Sequence, residues 1–145
     1  MNNVEKRRYQ LLDHTADLKV EIYGKDLQEL FVNAAFMIFD VMVDLDKVAE
    51  QKFENVEIQS VDLPELFLDW LRELLFRFSV QGFIPRRVEI QMLDTDQVQL
   101  KALLFGETYD YERHGLKVEI KTPTYHQYVL EKQSDGYRAT VVFDV

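Results

Sequence analysis

Two carboxylates and an imidazole stand close together near the start of the chain, at Asp13, His14 and Asp17. Carboxylate and imidazole groups held on one turn can bind a metal ion or move a proton. Aspartate and threonine are also common turn residues, because their side chains hydrogen bond to nearby backbone groups. The pattern by itself favours a loop and leaves a functional role open.

Two further polar clusters follow apolar, strand-like segments. One runs from Glu107 to His114, and the other comprises residues 119–126 together with Asp144 and Val145. An aspartate beside the terminal carboxylate suits a hard cation such as Ca²⁺ or Mg²⁺, which prefers oxygen ligands. Solvated connections and frayed strand ends contain the same residue types, so both interpretations stay open.

Composition and spacing exclude several common catalytic sites. The chain has no cysteine, which excludes disulfides, thiolate zinc sites, iron–sulfur clusters and cysteine nucleophiles. Its five glycines are too far apart for a phosphate-binding glycine loop, and no serine lies in a Gly-x-Ser-x-Gly turn. The three histidines have no spacing typical of a zinc site.

The charge balance restricts the partners. Of the 145 residues, 17 are Lys or Arg and 26 are Asp or Glu, which gives a formal net charge of −9. This charge repels phosphate backbones and anionic lipid surfaces, so direct binding to nucleic acid or to a membrane is not expected. No apolar run approaches the length of a membrane span, and we expect a cytoplasmic protein.

Two segments have the apolar spacing of an amphipathic helix, one from Leu27 and one from Leu63. Asp26 and Asp62 are the predicted N-caps, and each is followed three residues later by a glutamate, as in a capping box. Gly82 is predicted to end the second helical region.

Most of the remaining chain alternates apolar and polar residues with the period of β-strands. Turn residues at 94–96 and 134–136 predict two hairpins. Short strands are also predicted at 118–120 and over 125–132. Two helices among about eight strands predict an α+β fold. We expect a single domain over residues 1–145, with mostly antiparallel sheet and the two amphipathic helices packed against it.

Taken in order, these segments resemble the archease family, and the resemblance extends over almost the whole chain. Its segments are Asp13-His14-Thr15-Ala16-Asp17, Tyr23-Gly24, the helix 63–78 with Trp70-Leu71, Gly82-Phe83, Gly106-Glu107, Tyr109-Asp110, His114, Glu119-Ile120-Lys121, Thr124-Tyr125-His126 and Val142-Phe143-Asp144-Val145. The chain departs from the family at Leu18-Lys19 and at Thr122-Pro123. Proline cannot donate a ladder hydrogen bond, so a broken or edge strand is predicted there.

The resemblance implies an accessory protein rather than an enzyme. Its partner would be an RtcB-type RNA ligase, which joins RNA ends in tRNA splicing and RNA repair through a guanylylated histidine, with GTP and a divalent metal. The accessory protein would help this ligase to become guanylylated and to turn over repeatedly.

The resemblance also implies a metal site of oxygen ligands for Ca²⁺, or for Mg²⁺ or Mn²⁺. Its ligands would be Asp17, Asp144 and the main chain of Val145. Four further residues are candidates for supporting that site or contacting the partner, namely Asp13, His14, Glu107 and His114.

Three alternatives stay open. A stand-alone metal-dependent hydrolase could use the same carboxylates with His14 or His126 as a base. A chaperone-like binding module could use exposed aromatic side chains such as Tyr109, Tyr111 and Tyr125. In the third alternative the polar segments are only turns of a soluble α+β domain.

Overall fold

The structure is a computed structural model that describes residues 7–13 and 17–145. Its two long helices are α1, Leu27–Met42, and α2, Leu63–Ser79. The Asp26 side chain accepts a hydrogen bond from the Glu29 backbone N–H at 2.8 Å, and Asp62 accepts from that of Glu65 at 2.9 Å. Both predicted N-caps are therefore confirmed.

Within the described residues, eight strands form two sheets in which every pairing is antiparallel. In the first sheet β1, β2, β8 and β6 lie side by side in that order, and β7 also pairs with β8; in the second the order is β3-β5-β4. The strands are β1 Tyr9–Leu12, β2 Leu18–Gly24, β3 Lys52–Gln59, β4 Phe83–Asp94, β5 Gln99–Thr108, β6 Thr122–Pro123, β7 Val129–Gln133 and β8 Gly136–Asp144. A 3₁₀ turn at Leu45–Lys47 and the short helix α3, Tyr111–His114, complete the elements.

Both sheets share one hydrophobic core, into which the two helices project their apolar faces. Helix α1 packs against β2 of the first sheet and β4 of the second, while α2 packs against β3, β4 and β6. The Trp70 indole N–H of α2 donates to the Phe31 carbonyl of α1 at 2.9 Å, so the largest core side chain keeps its polar atom bonded. The predicted α+β class with helices on antiparallel sheet is confirmed.

Two predicted strands differ from the structure. Residues 118–120 are not a strand, although Val118 packs on the core and Ile120 is 3% exposed. Their alternation reflects the burial of an extended connection, because no neighbouring strand pairs with it among the described residues. The strand predicted over 125–132 begins only at Val129, because the preceding residues form a turn in which the Tyr128 backbone N–H donates to the Tyr125 carbonyl at 3.2 Å and Gln127 has a φ of 56°.

The departure at Thr122-Pro123 has the predicted consequence. Strand β6 is only two residues long and pairs with β8 alone. Among the helices of the described residues, none is long and apolar enough to cross a membrane. The assignment of residues 1–145 to one domain stays a prediction.

Arg77 of α2 covers the open edge of the second sheet. Its guanidinium donates to the Asn55 carbonyl of edge strand β3 at 3.1 Å, and it pairs with Glu54 at 2.6 Å and with Glu73 at 2.8 Å. We expect Arg77→Met, which keeps the aliphatic stem, to lower the free energy of unfolding by about 1–2 kcal/mol. Urea unfolding followed by circular dichroism measures this. Lys132→Met, at an exposed position of β7, is the control. If Arg77→Met lowered the free energy of unfolding as little as this control, the stabilising role of Arg77 would be contradicted.

Candidate functional site

The pairing of β2 with β8 brings the last strand beside the second one. Leu18, the first residue of β2, pairs with Phe143 in this antiparallel register, and the residues that adjoin this pair are Asp17 and Asp144. Directly opposite residues of an antiparallel pair have Cα atoms about 4.5–5.5 Å apart and side chains on one face. The last strand therefore runs beside the strand that follows Asp17, as a metal site shared by the two carboxylates requires.

A third strand borders Asp144 on its other side. Thr122 of β6 pairs with Asp144, and the Lys121 backbone N–H donates to the Asp144 carbonyl at 2.8 Å. The Asp144 side chain is exposed and Asp17 is half-buried. The main chain at Asp144 is thus held by the β6 side, while its carboxylate faces water.

The residue types at these strand ends suit a hard divalent cation. Asp17, just before β2, and Asp144, the last residue of β8, have carboxylate oxygens, and the main chain of Val145 lies next to Asp144. Residues 7–13 and 17–145 contain no group of three or more His, Cys, Asp or Glu side chains placed to hold a metal. A cation here would take two carboxylates, a main-chain oxygen and water, which suits Ca²⁺, Mg²⁺ or Mn²⁺ better than zinc.

The supporting residues named from the sequence lie in different places. Asp13 is exposed just after β1. His14 lies outside the described residues. Glu107 and His114 belong to β5 and α3, near the second sheet, and their side chains are 7% and 0% exposed. Whether any of the four supports metal or partner binding stays a prediction.

Glu107 and His114 form a buried hydrogen-bonded pair. His114 Nδ1 accepts from the Asp110 backbone N–H at 3.0 Å, so the ring proton is on Nε2, which donates to Glu107 at 2.9 Å. The same Glu107 oxygen accepts from the Ala49 backbone N–H at 2.8 Å. One carboxylate therefore ties together β5, α3 and the connection that precedes β3.

The electrostatics of Glu107 favour its ionised form. The Ala49 N–H has the largest effect in lowering the pKa of the Glu107 carboxyl, and burial partly opposes it. His114 and Arg113, whose guanidinium lies 3.4 Å from Glu107, lower the pKa further. The pair thus has the properties of a structural tie between elements.

Comparison with known proteins identifies the family. The model of the Archease protein family (MTH1598/TM1083) matches residues 9–145. The chain belongs to the archease family. The protein archease of Methanosarcina acetivorans is 41% identical over 141 residues, which cover 96% of this chain and 97% of that protein. The archease of Pyrococcus abyssi is 36% identical over 96% of this chain and 99% of its own length.

Solved structures agree with this archease fold. The solution structure of Methanobacterium thermoautotrophicum protein 1598 superposes with a TM-score of 0.81 at 31% identity, covering 95% of this chain and 99% of that one. A Thermotoga maritima crystal structure, described as an archease and possible chaperone, has a TM-score of 0.68 at 22% identity and covers all of both chains. The second comparison supports the fold alone.

One polar network of this archease escaped the sequence reasoning. The Tyr125 hydroxyl donates to Glu65 at 2.7 Å and accepts from Arg72 at 3.0 Å, and Arg72 also pairs with Asp69 at 2.8 Å. The sequence indicates Tyr125 as a residue of the Thr124-Tyr125-His126 segment and as an exposed aromatic contact, and it is 62% exposed. No local signal could have revealed the network, because Glu65 and Arg72 lie on α2, far away in sequence.

Proposed function

We propose that this archease is an accessory factor for an RtcB-type RNA ligase in the cytoplasm. It promotes guanylylation and repeated turnover of the ligase in tRNA splicing and RNA repair, and it is not itself an enzyme. The observation that carries the proposal is membership of the archease family. The pairing of Leu18 with Phe143, which brings the start of β2 beside the end of β8, is compatible with it.

In this proposal Asp17, Asp144 and the Val145 main chain hold one divalent cation. When bound, the cation supplies positive charge that can stabilise phosphate oxygens at the ligase nucleotide site. The carboxylates orient the ion, and the backbone bond from Lys121 to Asp144 keeps the end of β8 in place. The partner ligase provides the nucleophile and binds the RNA.

The net charge of −9 is consistent with a protein partner rather than with RNA. A ligase groove that binds RNA is expected to be basic, and an acidic protein is steered towards such a surface. Association should then weaken as the salt concentration rises, because ions screen exposed charges. Direct contact between this archease and RNA is not part of the proposal.

A guanylylation assay tests the proposed function. A purified RtcB-type ligase is incubated with GTP and divalent metal, with and without this protein, and the guanylylated ligase is quantified. We expect the wild-type protein and the Asp135→Asn control, which changes an exposed residue at the far end of the β7–β8 hairpin, to stimulate equally. Asp17→Asn and Asp144→Asn should stimulate at least about tenfold less. Equal stimulation by all four proteins would refute the metal role.

Chaperone activity is a second candidate, since the related Thermotoga maritima structure is described as a possible chaperone. Tyr111 and Tyr125 are 66% and 62% exposed and could contact a client protein. Suppression of the aggregation of unrelated proteins in the absence of metal would favour this function. A stand-alone hydrolase stays an alternative; of its two candidate bases, His126 is exposed and His14 lies outside the described residues.

A further inference from the structure

A groove of about 510 Å³ lies over α1, between Arg8, which precedes β1, and β4 of the second sheet. Val32, Phe36 and Phe39 of α1 form its apolar floor, together with Val88 of β4. This is the size range of small-molecule sites, which are mostly apolar with a few polar groups. The groove is separate from Asp17 and Asp144, which do not line it.

Three arginines stand along this groove, although the chain as a whole is acidic. They are Arg8, just before β1, and the adjacent Arg86 and Arg87 of β4. The pairing of β4 with β5 shifts between Pro85 and Arg87, which makes Arg86 the extra residue of a β-bulge. A bulge re-aims side chains, and here two consecutive arginines reach the same groove.

The three arginine side chains differ in their contacts with neighbouring side chains. Arg87 forms hydrogen bonds of 3.1–3.2 Å with both oxygens of Glu50. Arg86 has a looser ion pair of 3.7 Å with Asp46, whose side chain is 94% exposed. Arg8 lies over the Phe36 ring at 4.1 Å. An incoming anion could therefore engage Arg8 and Arg86 without breaking a close ion pair.

We propose that this groove binds a small amphiphilic anion. Its aromatic or aliphatic body lies on Val32 and Val88, and its carboxylate or phosphate group is bound by Arg8 and Arg86, since guanidinium groups match the geometry of both anions. A strand from another protein fits less well here, because Pro85 has no N–H to donate and the bulge interrupts the edge of β4.

Titration with 8-anilinonaphthalene-1-sulfonate, which combines an aromatic body with an anionic group, tests the site. The intact protein should bind one molecule saturably, with enhanced fluorescence. Arg8→Ala and Arg86→Ala should each raise the Kd on the order of tenfold. Val32→Phe, which fills the floor of the groove without changing its charge, should raise the Kd by a similar factor. Lys132→Ala removes an equal charge on exposed β7 and should leave the Kd unchanged.

Competition identifies the chemistry of the ligand. Decanoate and decyl phosphate should both displace the probe, whereas decanol, which has the same chain without a charge, should not. Thermal melts of each variant separate a lost site from a lost fold. The proposal is overturned if the folded Arg8, Arg86 and Val32 variants bind like the wild type, or if decanol competes as well as decanoate.

Discussion

Asp144→Asn is expected to weaken the binding of Ca²⁺ or Mn²⁺ on the order of 100-fold, because the affinity of oxygen-ligand sites follows the number of charged ligands. Asp17→Asn should act similarly, since Asp17 and Asp144 both adjoin the Leu18–Phe143 pair. Isothermal titration calorimetry of the metal-free protein gives the Kd directly. Each variant replaces a carboxylate by a neutral group of nearly the same shape, so the fold should be retained.

Asp135→Asn provides the matched control for this prediction. Asp135 is also an exposed carboxylate, but it lies in the turn that precedes β8. Replacing Asp135 by asparagine should leave the Kd for the metal unchanged. Metal should raise the Tm of the wild type and of this control, and a chelator should reverse the rise. If Asp17→Asn and Asp144→Asn bound metal as tightly as the control, the proposed ligands would be wrong.

Glu107→Ala is expected to lower the free energy of unfolding by about 3 kcal/mol. The substitution leaves the Ala49 N–H and the His114 Nε2–H buried without their acceptor, and each such loss costs about 1–3 kcal/mol. For a chain of this size the Tm should fall by roughly 6–12 °C. Thermal unfolding followed by circular dichroism measures the change.

Two controls separate this effect from the loss of a negative charge. Glu119→Ala removes an exposed carboxylate and should change the stability by less than about 0.5 kcal/mol. Glu107→Gln keeps one acceptor oxygen and should cost less than Glu107→Ala. Equal stability of the Glu107→Ala and Glu119→Ala proteins would mean that the buried pair does not hold the fold.

The same carboxylate predicts a pH dependence with a definite sign. The Ala49 N–H and the neighbouring groups lower the pKa of Glu107 in the folded protein. The stabilisation is therefore fully present above the unfolded-state pKa of about 4.3 and is lost as the pH falls through the lower folded-state pKa. The stability difference between the wild type and Glu107→Gln should narrow in that acidic range, as urea unfolding at several pH values can show.

The fold shows where positive groups lie in this acidic chain. The sequence indicated that the net charge of −9 disfavours RNA as a direct partner. The structure shows that Arg8, Arg86 and Arg87 nevertheless line one groove, together with Asp46 and Glu50. The net charge of the protein thus disfavours the binding of large polyanions. The binding of a small anion depends mainly on the few charged groups close to it, because more distant charges are screened.

The sequence by itself determined the two helices, their caps and the α+β class. The i, i+3, i+4 spacing from Leu27 and from Leu63 is a local property, and so are the caps at Asp26 and Asp62. The alternation at 118–120 was equally local but misleading, since a strand also needs a partner strand. The residues of the candidate metal site came from the family resemblance rather than from spacing.

Only the tertiary structure decided which distant groups meet. Asp17 and Asp144 adjoin the Leu18–Phe143 pair because β2 and β8 pair in one register, and Glu107 reaches His114 because α3 folds back on the end of β5. The arginine groove exists only because Arg8, α1 and β4 come together in the fold. The periodicity of apolar residues specifies a helix or strand and the face that it buries. Strand register, and which elements lie side by side, depend on how all the elements pack in the core.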